Sequence, residues 1–406
     1  LLFLQFPEKY KIKKRSGCPE RFFYWVLLMV IVENDHDIPI IKLSERDDHV
    51  RRFFLPSNRL LKELKGDGAM KILLISTGGT IASQQSAEGL VPMDQGEALA
   101  AQVPGIYEIA DIDIVNVFSK DSSNIDPADW KTIIKCIREN SSYDGYVITH
   151  GTDTMAYISA VLSYVMRDLE KPIVLTGSMI PMSEPGTDAK RNLEDAFRFT
   201  EALLANKQSG VALAFAGRLI HGPRAKKMSG KRIEAFKSVY YDELGVSDGK
   251  KASLLKAPLI DRKTLCSHGT GCEGVSFSKE IIPVKLFPGF RADYFDRIVE
   301  MKPKAIVVEC FGLGGLPYMG EDLLPGIKKA VDLGILPVIT TQCPEGGVDL
   351  STYDVGQKTL KTGAVSALDM GFEAIVTKLM WLIPQMPVRE AAKYLTVNLC
   401  DEVGSK

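Results

Sequence analysis

Two short stretches of this chain set hydroxyl groups beside glycine in a pattern that suits work on a polarised ligand. The first is Thr77-Gly78-Gly79-Thr80-Ile81-Ala82, directly after the apolar run from Lys71 to Ser76. Two glycines permit a tight turn and close backbone approach, and they leave N–H groups free to face an anion or oxyanion. Thr80 leaves that turn exposed at an edge. An ordinary strand-to-helix turn uses the same residues, so both readings stand. The second stretch is Thr149-His150-Gly151-Thr152-Asp153-Thr154-Met155, where a hydroxyl and a carboxylate sit together. Asp153 or Thr154 could equally be a helix N-cap. No Gly-x-x-x-x-Gly-Lys-Ser/Thr occurs, which excludes a nucleotide-type phosphate loop. Cys266, His268 and Cys272 could give three metal ligands, but a fourth is lacking and the spacing fits no common zinc module, so no metal is expected.

The elements that must position these residues alternate along the chain. Lys71–Ser76, Gly145–Thr149, Pro172–Thr176 and Gly210–Phe215 are apolar runs of strand length, of the kind buried on both faces of a parallel sheet. Helices are expected from Pro127, with Asp126 as cap and Trp130, Ile133, Ile134 and Ile137 on one face, then over Met155–Arg167 and from about Asp188 to Leu204. This rhythm predicts a doubly wound, mainly parallel α/β domain over residues 70–242. Residues 243–280, rich in Gly, Ser, Lys and Asp, read as a linker. The alternation resumes with Ile281–Leu286, Ala305–Glu309 and Leu336–Thr341, so a smaller α/β domain is expected over 281–406. Ligands in such folds bind at the carboxyl edge of the sheet, where both hydroxyl-rich turns fall.

Residues 1–69 differ in character. The apolar run Phe22–Val32 follows Lys11, Lys13, Lys14, Arg15 and Arg21, an order seen in signal peptides, but no small-residue cleavage site follows it. The chain also begins with Leu1, so a start at Met70 after an extension of doubtful origin is the expectation. Across all 406 residues, 45% are hydrophobic and 25% charged, as in a globular enzyme, and the net charge of -1 provides no general attraction for nucleic acid. No apolar run is long enough to cross a bilayer. Seven scattered cysteines do not make a disulfide framework, and a reducing compartment is the expectation.

The motifs Thr77–Ala82 and His150–Met155 resemble the two signatures of the bacterial-type L-asparaginase/glutaminase family. The similarity continues through Asp121-Ser122-Ser123, Gly177–Pro181, Phe311–Gly315 and Thr377–Trp381, in the order of the type I, cytoplasmic branch. It covers residues 70 to about 400. The resemblance implies hydrolysis of the side-chain amide of L-asparagine to aspartate and ammonia without a cofactor. It implies Thr80 as nucleophile, with Thr152, Asp153 and Lys227 as a second set in which a buried lysine acts as base. Ser122 and Ser123 match the pair that holds the substrate carboxylate, and Asp153 suits its ammonium. A homodimer or homotetramer is implied as well.

One position departs from the family. Its mobile loop often carries a tyrosine that bonds the nucleophile, and Leu90 stands at that place here. The loop around it still reads as a lid. Gln342-Cys343 falls where some type I enzymes have an allosteric site, but Glu309 stands where an arginine would assist, so that regulation is not expected. Two other readings remain: the amidase subunit of a glutamyl-tRNA(Gln) amidotransferase, and a catalytically weak amino-acid-binding protein.

Overall fold

The computed structural model describes residues 70–79, 81, 83–86, 89–92, 96–256 and 274–404, and in 83–86 and 89–92 it describes the backbone only. These residues fall within one unit of the chain, Lys62–Lys406. Thr80, residues 1–69 and the Cys266–Cys272 segment lie outside them.

The N-terminal domain is built on β1 (Lys71–Gly78), whose seven residues after Lys71 are all buried. Its two faces separate cleanly. Leu73 and Ile75 pack with Ile133, Ile137 and Tyr146 on one side, while Ile72 and Leu74 pack with Val147, Phe197 and Phe199 on the other. A strand covered on both faces must read as a continuous apolar run, and it does. After β1 come the hairpin β2 (Ser83–Ser86) and β3 (Gly89–Pro92), helices α1 (Gly96–Ala101) and α2 (Ile106–Ile109), and β4 (Asp111–Lys120). Helix α3 (Pro127–Glu139) then leads to β5 (Gly145–Thr149), α4 (Met155–Val165), β6 (Pro172–Thr176), α5 (Ala189–Ala205) and β7 (Gly210–Phe215). Strands β4, β1, β5, β6 and β7 lie side by side and parallel.

Three antiparallel strands extend this sheet to eight: β8 (Arg218–His221), β11 (Gly245–Ser247) and β12 (Ala252–Leu254). A separate hairpin pairs β9 (Ala225–Lys227) with β10 (Phe236–Ser238). The segment expected as a linker over 243–280 therefore begins with two strands of the main sheet. They are three residues each and half polar, too short for periodicity to register. Strand β4 also escapes the apolar pattern, because as an edge strand it is interrupted by Asp111, Asp113 and Asn116.

The smaller domain carries β13 (Ile281–Lys285), α6 (Ala292–Glu300), β14 (Ala305–Cys310), α7 (Leu324–Asp332), β15 (Leu336–Thr341), α8 (Asp354–Lys361), β16 (Val365–Ser366), α9 (Phe372–Leu382) and α10 (Val388–Leu395). Its four strands are parallel in chain order. The fold is thus the expected one, a larger doubly wound domain followed by a smaller α/β domain.

Capping sets where the helices start. Helix α3 opens with a capping box in which Asp126 accepts from Ala128 and Asp129 accepts from the Asp126 N–H, and Pro127 occupies the first turn. Helix α4 ends two residues before the expected Arg167, with Met166 as its C-cap.

At the far end of the chain Lys378 and Glu402 form an ion pair with both side chains fully buried. Lys378 also donates to the carbonyls of Leu395 and Val397 at 2.8 and 2.6 Å, and Glu402 accepts from the N–H groups of Leu399 and Cys400. Burial by itself would raise the Glu402 carboxyl, but the Lys378 ammonium, with backbone N–H groups such as that of Cys400, outweighs it and holds it below the ordinary glutamate range. A depressed carboxyl stabilises the fold above its unfolded value and loses that contribution as pH falls through the folded one. Glu402→Ala leaves the ammonium buried and unpaired, with an expected loss of about 3–5 kcal/mol in urea unfolding at neutral pH. The loss should shrink at acid pH, where the wild-type carboxyl is itself protonated.

Candidate active site

The sheet order places β1 between β4 and β5, and the chain crosses from one side of β1 to the other through α3. That switch point is where a crevice opens at the carboxyl edge of an open α/β sheet. Three turns meet there, after β1, β4 and β5. They approach so closely that side chains are excluded. A Cβ on Gly79 would lie 2.5 Å from the Cα and N of Gly151, and one on Gly151 would lie 2.6 Å from Ser122 Cβ and Oγ. Gly78 and Gly79 have φ of 89° and 84°, a left-handed conformation that other residues adopt at a cost. Glycine is therefore needed twice over, for the bend and for the contact. Beneath the turns, Thr77 Oγ1 donates to the Thr149 carbonyl at 2.8 Å and ties β1 to β5.

Thr152, Asp153 and Lys227 come together at this edge. Lys227 Nζ lies 2.7 Å from Thr152 Oγ1 and 2.7 Å from Asp153 Oδ1. Thr152 is buried and the Lys227 side chain only 18% exposed, while the Asp153 side chain is 63% exposed. Lys227 reaches the site from the end of β9, some 75 residues away in sequence. Lys226 turns elsewhere, to Glu373 Oε1 at 3.5 Å.

The two serines differ. Ser122 is buried, its Oγ accepts from the Asp153 N–H at 3.2 Å, and its carbonyl accepts from Thr154 Oγ1 at 2.8 Å. Ser123 is exposed, and its hydroxyl and N–H both donate to Asp121. Those two bonds, the backbone N–H first, hold the Asp121 carboxyl below the usual carboxylate range. Thr80 falls outside the described residues, between Gly79 and Ile81. Leu90 lies in β3 opposite Gln85, within the hairpin that follows the first turn.

Other side chains support these turns. Lys120 Nζ binds Asp129 Oδ1 at 2.6 Å, and Asp129 Oδ2 accepts the Asp126 N–H, so the cap of α3 also pins both ends of the Ser122 turn. The spacing of Asp126 and Asp129 signals the cap but not this second task. His150 is fully buried, and its Nδ1–H donates to the Gly151 carbonyl at 2.8 Å, since a carbonyl can only accept. Burial lowers it to about 4, so the ring is neutral at physiological pH. Among the described residues no group of three or more His, Cys, Asp or Glu could hold a metal, and no helix is long and apolar enough to cross a membrane.

A parallel sheet that brings a threonine, an aspartate and a lysine within hydrogen-bond reach at its switch point has the architecture of an α/β enzyme. Comparison with known proteins gives the family. Residues 71–259 match the model described as asparaginase, N-terminal, and residues 280–394 match the glutaminase/asparaginase C-terminal domain. An L-asparaginase of Thermococcus kodakarensis is 35% identical over 338 residues, covering 82% of this chain and 99% of that protein. A glutamyl-tRNA(Gln) amidotransferase component from Pyrococcus furiosus is 35% identical over 348 residues, covering 82% of this chain and 76% of that protein. The solved structure of the thermostable L-asparaginase from Thermococcus kodakarensis superposes with a TM-score of 0.74 at 32% identity, covering 83% of this chain and all of that one. The chain belongs to the asparaginase family, and is an amidohydrolase.

The buried imidazole gives a pH dependence with a definite sign. A folded value near 4 against an unfolded value near 6.5 means the unfolded chain binds the proton first. Stability from this group is complete above the unfolded value and is lost as pH falls towards the folded one. Between pH 7 and pH 5 the expected loss is about 2 kcal/mol, read from urea midpoints. His150→Asn should remove that part of the slope.

Proposed function

We propose that this protein is an L-asparaginase of the type I branch, converting L-asparagine to L-aspartate and ammonia through a threonine nucleophile. The observation that carries the reading is the contact of Lys227 with both Thr152 and Asp153 at the sheet edge of a chain in this family. A carboxamide resists attack, so hydrolysis needs a positioned nucleophile, a path for its proton and donors for the oxyanion. Thr80 Oγ attacks the side-chain amide carbon, ammonia leaves with a proton, and water then releases aspartate from the threonyl ester. The 2.7 Å contact between Lys227 Nζ and Thr152 Oγ1 supports proton transfer to and from a hydroxyl or water in both halves of the reaction. Leu90 offers no hydroxyl, so proton movement rests on Thr152 and Lys227.

Substrate recognition follows the same turns. Asp153 remains well exposed despite its bond to Lys227 and meets the α-ammonium. Ser122 and Ser123 serve the α-carboxylate, Ser122 largely by fixing the Asp153 backbone and Ser123 by its exposed hydroxyl. In this reading the enzyme works in the cytoplasm as a homodimer or homotetramer, with a first domain that runs from residue 70 through β12 and a second over 281–406.

A second reading, the amidase component of an amidotransferase, is favoured by the 35% identity to the Pyrococcus furiosus protein. Ammonia release from L-asparagine and L-glutamine by the purified chain separates the two. The proposal expects turnover of asparagine without tRNA or a partner protein. Thr80→Ala should lower kcat by roughly 1,000-fold or more, and Lys227→Met by about 100- to 10,000-fold. Turnover only when tRNA and a partner are supplied would favour the amidotransferase. Asparagine binding with no ammonia released would leave a binding protein.

A further inference from the structure

Lys227 is delivered to the site by a segment that is also anchored to the smaller domain and the C-terminal tail. Three residues before it, Arg224 is fully buried. Its Nε donates to the Asp401 carbonyl at 2.5 Å, Nη1 donates to the carbonyl and Oδ2 of Asp369 at 2.9 and 3.1 Å, and Nη2 to Asp369 Oδ2 at 3.1 Å. The guanidinium sits 5.4 Å from the centre of the Tyr241 ring, and Tyr241 donates its hydroxyl to Asp401 Oδ2 at 2.5 Å. The Gly404 N–H closes the arrangement on the Asp369 carboxylate at 2.9 Å.

The backbone around this latch is held in an unusual state. Six non-glycine residues among those described have positive φ, and three of them border it: Tyr240 at 56°, Leu368 at 56° and Asp401 at 58°. Each belongs to a different one of the three segments that close around the guanidinium. Such conformations cost energy and persist where the surroundings over-determine them, often beside functional sites. On its other side the segment is pinned to helix α4. The Gly222 carbonyl accepts from Ser159 at 2.9 Å, and a Cβ on Gly222 would lie 2.5 Å from Ser163 Oγ. Arg224 is thus clamped between the helix that starts after Thr154 and the tail. β9 carries that constraint straight to Lys227, with the Val239 N–H donating to the Arg224 carbonyl at 2.9 Å to hold the hairpin.

We propose that Arg224 is a positioning residue for the amide hydrolysis, and that its latch to Asp369 and Asp401 makes the reach of Lys227 to Thr152 depend on the docked C-terminal segment. The inference rests on the asparaginase reading. Arg224 touches no reacting atom. Its effect is geometric, and displacement of a catalytic group by about 1 Å can cost on the order of 100-fold in rate. The Ser122 turn is anchored through Asp121, Asp126 and Asp129, and the Asp153 backbone through Ser122, outside the latch; only the Asp153 carboxylate shares Lys227 with it, so binding should suffer less than turnover.

The test measures kcat and KM for L-asparagine, with Tm, for the full chain and for Arg224→Met, Arg224→Lys and Tyr241→Phe. The expected result is a fall in kcat of roughly 100-fold for Arg224→Met and about 3- to 10-fold for Tyr241→Phe, at temperatures well below each Tm. KM should stay within about threefold, and Arg224→Lys, which keeps the charge but not the fork, should fall between. Unchanged kcat per folded molecule overturns the proposal, as does a rise in KM that accounts for the loss. Should Arg224→Met fail to fold, Tyr241→Phe and Arg224→Lys decide by the same criteria. A wild-type chain that does not hydrolyse asparagine would instead remove the underlying reading, an outcome visible before any variant is compared.

Discussion

A lysine amine 2.7 Å from a threonine hydroxyl and 2.7 Å from a carboxylate is the contact around which the sheet edge is organised. The groups it joins come from places with no sequence proximity to dictate the geometry. Thr152 and Asp153 leave β5 at the start of α4, and Lys227 arrives on a hairpin built after the parallel strands have ended. Holding the groups in register requires that the intervening backbone be fixed from several directions. Two glycines in contact, a buried serine and a buried arginine each supply part of that constraint.

The close packing of Gly79, Gly151 and Ser122 has a consequence for chemistry. A side chain at Gly79 would push the turn after β1 away from the turn after β5, and one at Gly151 would push the latter away from Ser122. His150, buried beside these turns, stays neutral because burial disfavours the imidazolium, so it adds no charge there.

Much of this was legible in the sequence because the parallel core strands are buried on both faces and therefore read as unbroken apolar runs. Lys71–Ser76, Gly145–Thr149 and Pro172–Thr176 announced themselves in that way, and Asp126-Pro127 announced α3. The edge strand Asp111–Lys120 and the short strands at 245–247 and 252–254 did not. Their partners, not their own composition, make them strands. The motifs identified turns and the family. The resemblance singled out Lys227, but composition alone does not separate it from Lys226, and it is the contacts of one with Thr152 and of the other with Glu373 that tell them apart. Arg224 was hidden for a related reason: nothing local distinguishes a buried arginine latched to the tail from a solvated one.

The account stands on Lys227 acting through Thr152, and a double-mutant cycle on kcat for asparagine with Thr152→Val and Lys227→Met addresses that directly. Groups that work as one unit lose function together, so the double variant should be no slower than the worse single variant, within about threefold. Losses that multiply, with each substitution costing its full factor in the presence of the other, would mean that the two residues act separately and that their 2.7 Å contact is not the proton path.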